Sequence, residues 1–129
     1  MNIEPNKIKV LVVDDVSSAR KSLILILRQI GIKNVTEAKS SMEALERLQK
    51  ETFQLIISDW EMPDINGLEL LTMVKEGHTH KNIPFIMITS ASEKDRVIKA
   101  LEAGVTDYAI KPICLETLSN KILRVFSNI

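Results

Sequence analysis

The chain has 129 residues, 45% of them apolar and 26% charged, which is the size and composition of one ordinary globular domain and not of a disordered segment. Lysine plus arginine equals aspartate plus glutamate, 17 against 17, so there is no basic excess of the kind that displaces counterions from nucleic-acid phosphates. The longest apolar run, Leu23 to Leu27, is far short of the ~20 residues of a membrane span, and the N-terminal MNIEPNK lacks the apolar stretch of a signal peptide. A cytoplasmic protein with neither nucleic-acid nor membrane partners is expected, and the single cysteine, Cys114, has no mate for an internal disulfide.

In chain order, the first apolar run is Ile8 to Val13. Its Val10-Leu11-Val12-Val13 is continuously apolar instead of alternating, which suits a strand covered on both faces. Ala19, Leu23, Ile26, Leu27 and Ile30 follow with helical spacing, and Gly31 is a stop signal. Asn34 to Ala38 is a second strand, and Ala44, Leu45 and Leu48 begin a second helix. Phe53 to Ser58 is a third strand. Leu68, Leu71 and Val74 mark a third helix, entered at Gly67 and ended near Gly77. Phe85 to Thr89 is a fourth strand. Val97, Ala100, Leu101 and Gly104 then give an i, i+3, i+4, i+7 stripe, with Ser92 and Asp95 spaced as a capping box at its start. Asp107 to Ile110 is a fifth strand, and Leu118, Ile122 and Val125 a fifth helix.

Strand starts near residues 8, 34, 53, 85 and 107 lie about 25 residues apart, close to the ~30 residues of a βαβ unit. The expected fold class is therefore α/β, a flavodoxin-like (βα)5 doubly wound parallel sheet. The strand order 2-1-3-4-5 follows by analogy with that fold. Five such units use residues 1–129, so a single domain with no output domain is expected.

Ligands of open α/β sheets bind beyond the carboxyl ends of the strands. Those ends carry Asp14-Asp15, Asp59, Thr89-Ser90 and Lys111-Pro112. Taken singly, each is a common way to leave a strand. Together they bring three carboxylates, a hydroxyl and one lysine to the same rim. Two carboxylates about 4 Å apart repel by roughly 4 kcal/mol at an effective dielectric of 20. A divalent, oxygen-preferring cation is the natural neutraliser, and Mg²⁺ suits a site of few carboxylates plus a phosphate. Two further features are read as background: His78-Thr79-His80 as a solvated loop, and Cys114 as a packing residue. Trp60 is expected to fill a gap beside the site.

The segments Leu11-Val12-Val13-Asp14-Asp15, Ser58-Asp59-Trp60-Glu61-Met62-Pro63-Asp64-Ile65-Asn66-Gly67, Ile88-Thr89-Ser90-Ala91 and Tyr108-Ala109-Ile110-Lys111-Pro112 resemble the receiver domain of bacterial two-component response regulators. The resemblance runs from Ile8 to Phe126. Asp59-Trp60 with Asn66-Gly67-Leu68-Glu69-Leu70-Leu71 looks most like the single-domain chemotaxis regulators of that family.

The resemblance implies a phosphoacceptor switch, not an enzyme in the usual sense, in which Asp59 takes a phosphoryl group from a sensor histidine kinase. It implies that Asp15, Asp59 and the backbone carbonyl of Glu61 hold Mg²⁺, with Asp14 acting mainly through metal-bound water. Lys111 would pair with one phosphoryl oxygen and Thr89 would donate to another. Tyr108 would change rotamer and report the state on a face formed by the fourth helix, fifth strand and fifth helix. The implied partners are the kinase and a downstream protein, the flagellar motor switch or another, with the protein monomeric when unphosphorylated. A phosphorelay intermediate that passes the group to a histidine phosphotransfer protein is the alternative. A phosphatase of the haloacid dehalogenase kind would need Asp-x-Asp after the first strand, and this chain has Asp14-Asp15-Val16. An inactive receiver serving only as an interaction module would not need Asp15, Asp59, Thr89 and Lys111. Lys39-Ser40-Ser41 and Ile113 depart from the chemotaxis pattern. Glu61 and Ala91 are positions expected to tune hydrolysis of the phosphoryl group.

Overall fold

A computed structural model describes residues 4–77, 79–90 and 94–127, and the side chain of residue 94 is not considered. After a 3-10 turn at Pro5–Lys7 the chain alternates β1 (Lys9–Val13), α1 (Ser17–Ile30), β2 (Asn34–Ala38), α2 (Ser41–Lys50), β3 (Leu55–Asp59), α3 (Gly67–Glu76), β4 (Phe85–Thr89), α4 (Lys94–Glu102), β5 (Asp107–Ile110) and α5 (Leu115–Ser127). The strands form one parallel sheet in the order β2-β1-β3-β4-β5, the expected fold and strand order.

Three expected strand boundaries move, for hydrogen-bonding reasons. Ile8 stays outside β1 because its N–H turns back to the Pro5 carbonyl at 3.2 Å. β3 starts at Leu55, where its pairing with Val10 begins, and runs on through Asp59, which pairs with Ile88. The expected Ser92 start of the fourth helix lies outside the described residues.

Alternation within the strands sorts the core into two layers. Leu11, Val13, Ile56, Phe85 and Met87 pack on one side with Ala44, Leu48, Leu70, Leu71, Val74 and Ala100 from α2, α3 and α4. Val10, Val12, Leu55, Ile57, Ile86 and Ile88 pack on the other with Leu23 and Leu27 of α1 and Leu118, Ile122 and Val125 of α5. Each of the larger side chains contributes roughly 1.5–3 kcal/mol on full burial. The continuous apolar runs are thus the mark of a sheet with helices on both faces.

Local hydrogen bonds end and start the helices. Gly31 takes φ 104° and closes α1, its N–H bonding the Arg28 carbonyl at 3.0 Å. Asn66 and Glu69 make a reciprocal capping box at the start of α3, at 2.9 and 3.0 Å. Ser40 caps α2 by accepting from the Glu43 N–H. Ser41 is buried and donates to the Ile65 carbonyl at 2.8 Å, which ties α2 to the loop after β3. The Lys39-Ser40-Ser41 departure therefore has a structural use. No helix among the described residues is long and apolar enough to cross a membrane.

Candidate functional site

Parallel strands bring the ends of β1, β3, β4 and β5 to one edge of the sheet, and the residues singled out there meet. Asp14 follows β1 and is buried, whereas Asp15 beside it is exposed. Asp14 Oδ1 accepts from the Val16 N–H at 2.9 Å, and its carbonyl accepts from Arg20 at 2.7 Å. Asp59 is the last residue of β3 and is buried. One carboxylate oxygen from each of Asp14, Asp15 and Asp59 lies within 4.8 Å of the others. Lys111, just past β5 and joined to Pro112 by a cis peptide, answers them: its Nζ is 3.2 Å from Asp59 Oδ1 and 3.9 Å from Asp14 Oδ2.

One lysine does not balance this cluster. Burial, then the neighbouring Asp14 carboxylate, pushes the Asp59 carboxyl above its ordinary range, against the opposing pull of Lys111. Burial likewise pushes Asp14 up, opposed first by the Val16 N–H. Among the described residues, Asp59 Oδ1 is the one buried side-chain oxygen or nitrogen without a hydrogen-bond partner, the lysine being near but not aligned. An acceptor left in that condition costs about 1–3 kcal/mol. An all-oxygen set of three carboxylates with an unpaired inward oxygen fits a hard divalent cation such as Mg²⁺.

The backbone behind Asp59 is held tightly by Gly67, whose N–H bonds the Trp60 carbonyl at 2.8 Å. A Cβ at Gly67 would lie 2.3 Å from the Asp59 carbonyl oxygen, so only glycine allows α3 to start this close to β3. Trp60 is buried beside the site as expected.

Thr89 is buried at the end of β4, and its Oγ1 accepts from Arg96 Nη1 of α4 at 3.0 Å. The same Arg96 nitrogen is 3.3 Å from Glu61 Oε1, which also accepts from the Ser90 hydroxyl at 2.7 Å. Ser90 first and Arg96 second hold the Glu61 carboxyl below its ordinary range. The guanidinium also lies over the Trp60 ring, 5.1 Å from its centroid. Sequence reasoning missed Arg96. A signal was available, since Arg96, Val97 and Ala100 share one helical face, so the arginine borders the buried stripe. Nothing in the sequence indicated that Glu61, 35 positions away, would meet it.

Tyr108 is half-buried against the core layer that holds Trp60 and Met87, with Lys121 5.5 Å from its ring centroid. It closes round a small crevice with Thr89, Arg96 and Val97. Beside Asp14 and Lys111 an open cavity of about 520 Å³, lined mainly by Ala19, Leu23, Ile26, Ile88, Pro112 and Ile113, separates α1 from the end of β5.

One background reading needs adjustment. Cys114 is exposed, not packed: its carbonyl accepts from Leu118 N–H and its thiol lies 3.1 Å from the Thr117 hydroxyl, so it opens α5 as a cap. Of the His-Thr-His loop, His78 lies outside the described residues, Thr79 is exposed and His80 half-buried.

The response regulator receiver domain family matches residues 10–123. The chemotaxis protein CheY of Pseudomonas aeruginosa is 35% identical over 121 residues, covering 94% of this chain and 98% of that protein. CheY-3 of Vibrio cholerae is 35% identical, with 94% and 93% covered. Among solved structures, chemotaxis protein CheY4 of V. cholerae superposes with a TM-score of 0.85 at 34% identity, covering 92% of this chain and 98% of that one. The receiver domain of a signal transduction histidine kinase from Syntrophus aciditrophicus does so at 0.85 with 29% identity, with 95% and 92% covered.

Proposed function

The chain belongs to the response regulator receiver domain family, and from that premise we propose that it is a phosphoacceptor switch whose acceptor is Asp59. The supporting observation is the buried, unpaired Oδ1 of Asp59, 3.2 Å from Lys111 and crowded by Asp14 and Asp15. A carboxylate in that setting lacks positive charge, which Mg²⁺ would supply both to it and to an incoming phosphoryl group.

In the proposed reaction Asp59 attacks the phosphorus of a kinase phosphohistidine in line. The new P–O bond forms as the P–N bond breaks, and the imidazole leaves with the bonding pair. Asp15, Asp59 and the Glu61 carbonyl would hold Mg²⁺, with Asp14 acting through its water shell. The ion's part is to neutralise charge on the transferring oxygens. Lys111 stays within reach of Asp59 and pairs with one phosphoryl oxygen, while Thr89 donates its O–H to another. The cavity beside Asp14 and Lys111 gives the donor's apolar flank a seat.

The group adds about 1.5 to 2 negative charges, and its capture of Thr89 draws the end of β4 and Tyr108 into the second state. Output is proposed for the face of α4, β5 and α5, where Ile98, Leu101, Ile110 and Leu115 are exposed. The named relatives make chemotaxis the first setting to test, with the flagellar motor switch as target. A phosphorelay role, in which the group passes on to a histidine phosphotransfer protein, is the second reading, favoured by the likeness to a receiver within a histidine kinase.

The test is incubation with Mg²⁺ and a small phosphodonor, read by intact mass. One labile phosphoryl per chain, absent from Asp59→Asn, is the expected result. Multiple rapid turnovers would favour a phosphatase instead, and no adduct would leave only an interaction module.

A further inference from the structure

We propose that Arg96 is a resting-state latch: its guanidinium clamps Thr89 and Glu61 together, and activation must break the Thr89 arm. The inference rests on the reading of Asp59 as phosphoacceptor and concerns how that site is regulated. Its basis is the three contacts of one side chain. Arg96 reaches Thr89 Oγ1 at 3.0 Å, Glu61 Oε1 at 3.3 Å and the Trp60 face at 5.1 Å.

The positions of the two ends set this contact against activation. Arginine offers only donors, in a rigid fork, so it holds Thr89 Oγ1 towards α4 through a lone pair and leaves the O–H proton to be donated elsewhere. A Thr89 hydroxyl that donates to a phosphoryl oxygen on Asp59 must turn and shift towards β3, which lengthens the arm to Arg96. Glu61 keeps the guanidinium from following. It is a charge partner already fixed by Ser90 at 2.7 Å, and it lies across the loop after β3. Release of the Thr89 arm frees α4, which carries the exposed Ile98 and Leu101. The latch therefore supplies the bistable contact that both the phosphoryl group and an α4 ligand can bias.

A latch that opens on activation opposes activation, so its removal tightens binding of a phosphoryl mimic. Calorimetric titration with beryllofluoride in Mg²⁺ should give Arg96→Gln an affinity about three- to tenfold above wild type, the range of one charge-assisted hydrogen bond at a half-exposed site. Arg96→Lys keeps the stem and a charge for Glu61 but not the fork, so it should tighten binding by at least about twofold, and it serves if Arg96→Gln fails to fold. In a Thr89→Ala background the effect of Arg96→Gln should fall below about twofold, because the arm is already gone. A merely structural arginine would not produce that coupling. Unchanged or weaker affinity in both Arg96 variants, or an undiminished effect without Thr89, would overturn the latch while leaving the phosphoacceptor reading intact. Absence of any adduct on wild-type Asp59 would overturn both.

Discussion

At the scale of the residue, Asp59 is a carboxylate held in a setting that disfavours its charge, and two predictions follow from the direction of its shift. In the metal-free protein the folded state binds the Asp59 proton more tightly than the unfolded chain does. Above the raised folded value both states are ionised and the buried charge costs stability. As pH falls through that value towards 3.8, the folded form alone takes up the proton and the cost is relieved. Asp59→Asn should therefore be more stable than metal-free wild type at neutral pH, by about 1–3 kcal/mol. The gap should narrow as pH falls to 3.8, as read by urea midpoints at constant ionic strength. The same difference experiment removes the contribution of Glu61, which is exposed and shifted the other way. Trp60, stacked with Arg96 one residue from Asp59, should change its fluorescence on beryllofluoride binding. A flat spectrum at saturation would contradict its coupling to the site.

At the scale of the element, the end of β3 and the start of α3 act as one piece. Gly67→Ala would drive a methyl group to 2.3 Å from the Asp59 carbonyl and 2.8 Å from Met87 Sδ. Backbone cannot yield as a side chain end can, so a loss of about 3 kcal/mol is expected, together with a slower phosphorylation of a displaced Asp59. Asn66→Ala, which removes half of the capping box without touching Asp59, should cost about 1 kcal/mol and leave the phosphorylation rate close to wild type. Comparing the two by thermal melts and adduct kinetics separates the stability of α3 from the placement of the acceptor. The helices also show why local reading works so well here. Gly31, Asn66 with Glu69, and the apolar stripes of α1 and α5 each act within one or two turns, so their outcome is written in neighbouring residues. The shifted bounds of β3 depend instead on partners in other strands.

At the scale of the whole molecule, the zero net charge conceals a polarised protein. Two buried aspartates and an exposed one gather at one end of the sheet with Lys111 as the nearest cation, although 17 basic residues balance 17 acidic ones over the chain. Mg²⁺ should therefore stabilise the fold by mass action, about 2.7 kcal/mol at 100 times its dissociation constant. Asp15→Asn, which removes an exposed ligand without opening the core, should lose most of that gain while melting near the metal-free wild type. Thermal melts with and without Mg²⁺ check both statements.

The sequence by itself determined the five βα units, the two-faced burial of the sheet and the gathering of Asp14, Asp15, Asp59, Thr89 and Lys111 at one rim. All of these follow from short-range periodicity plus one topological rule: parallel strands align their carboxyl ends. Only the tertiary structure decided that Cys114 caps α5 in solvent, that Asp59 Oδ1 lies buried with Lys111 near it but no aligned hydrogen-bond donor, and that Arg96 joins Glu61 and Thr89. Those are facts about which side chains meet across separate elements and how much water reaches them. They depend on the register and spacing of β3, β4 and α4 in three dimensions, which no local pattern along the chain encodes.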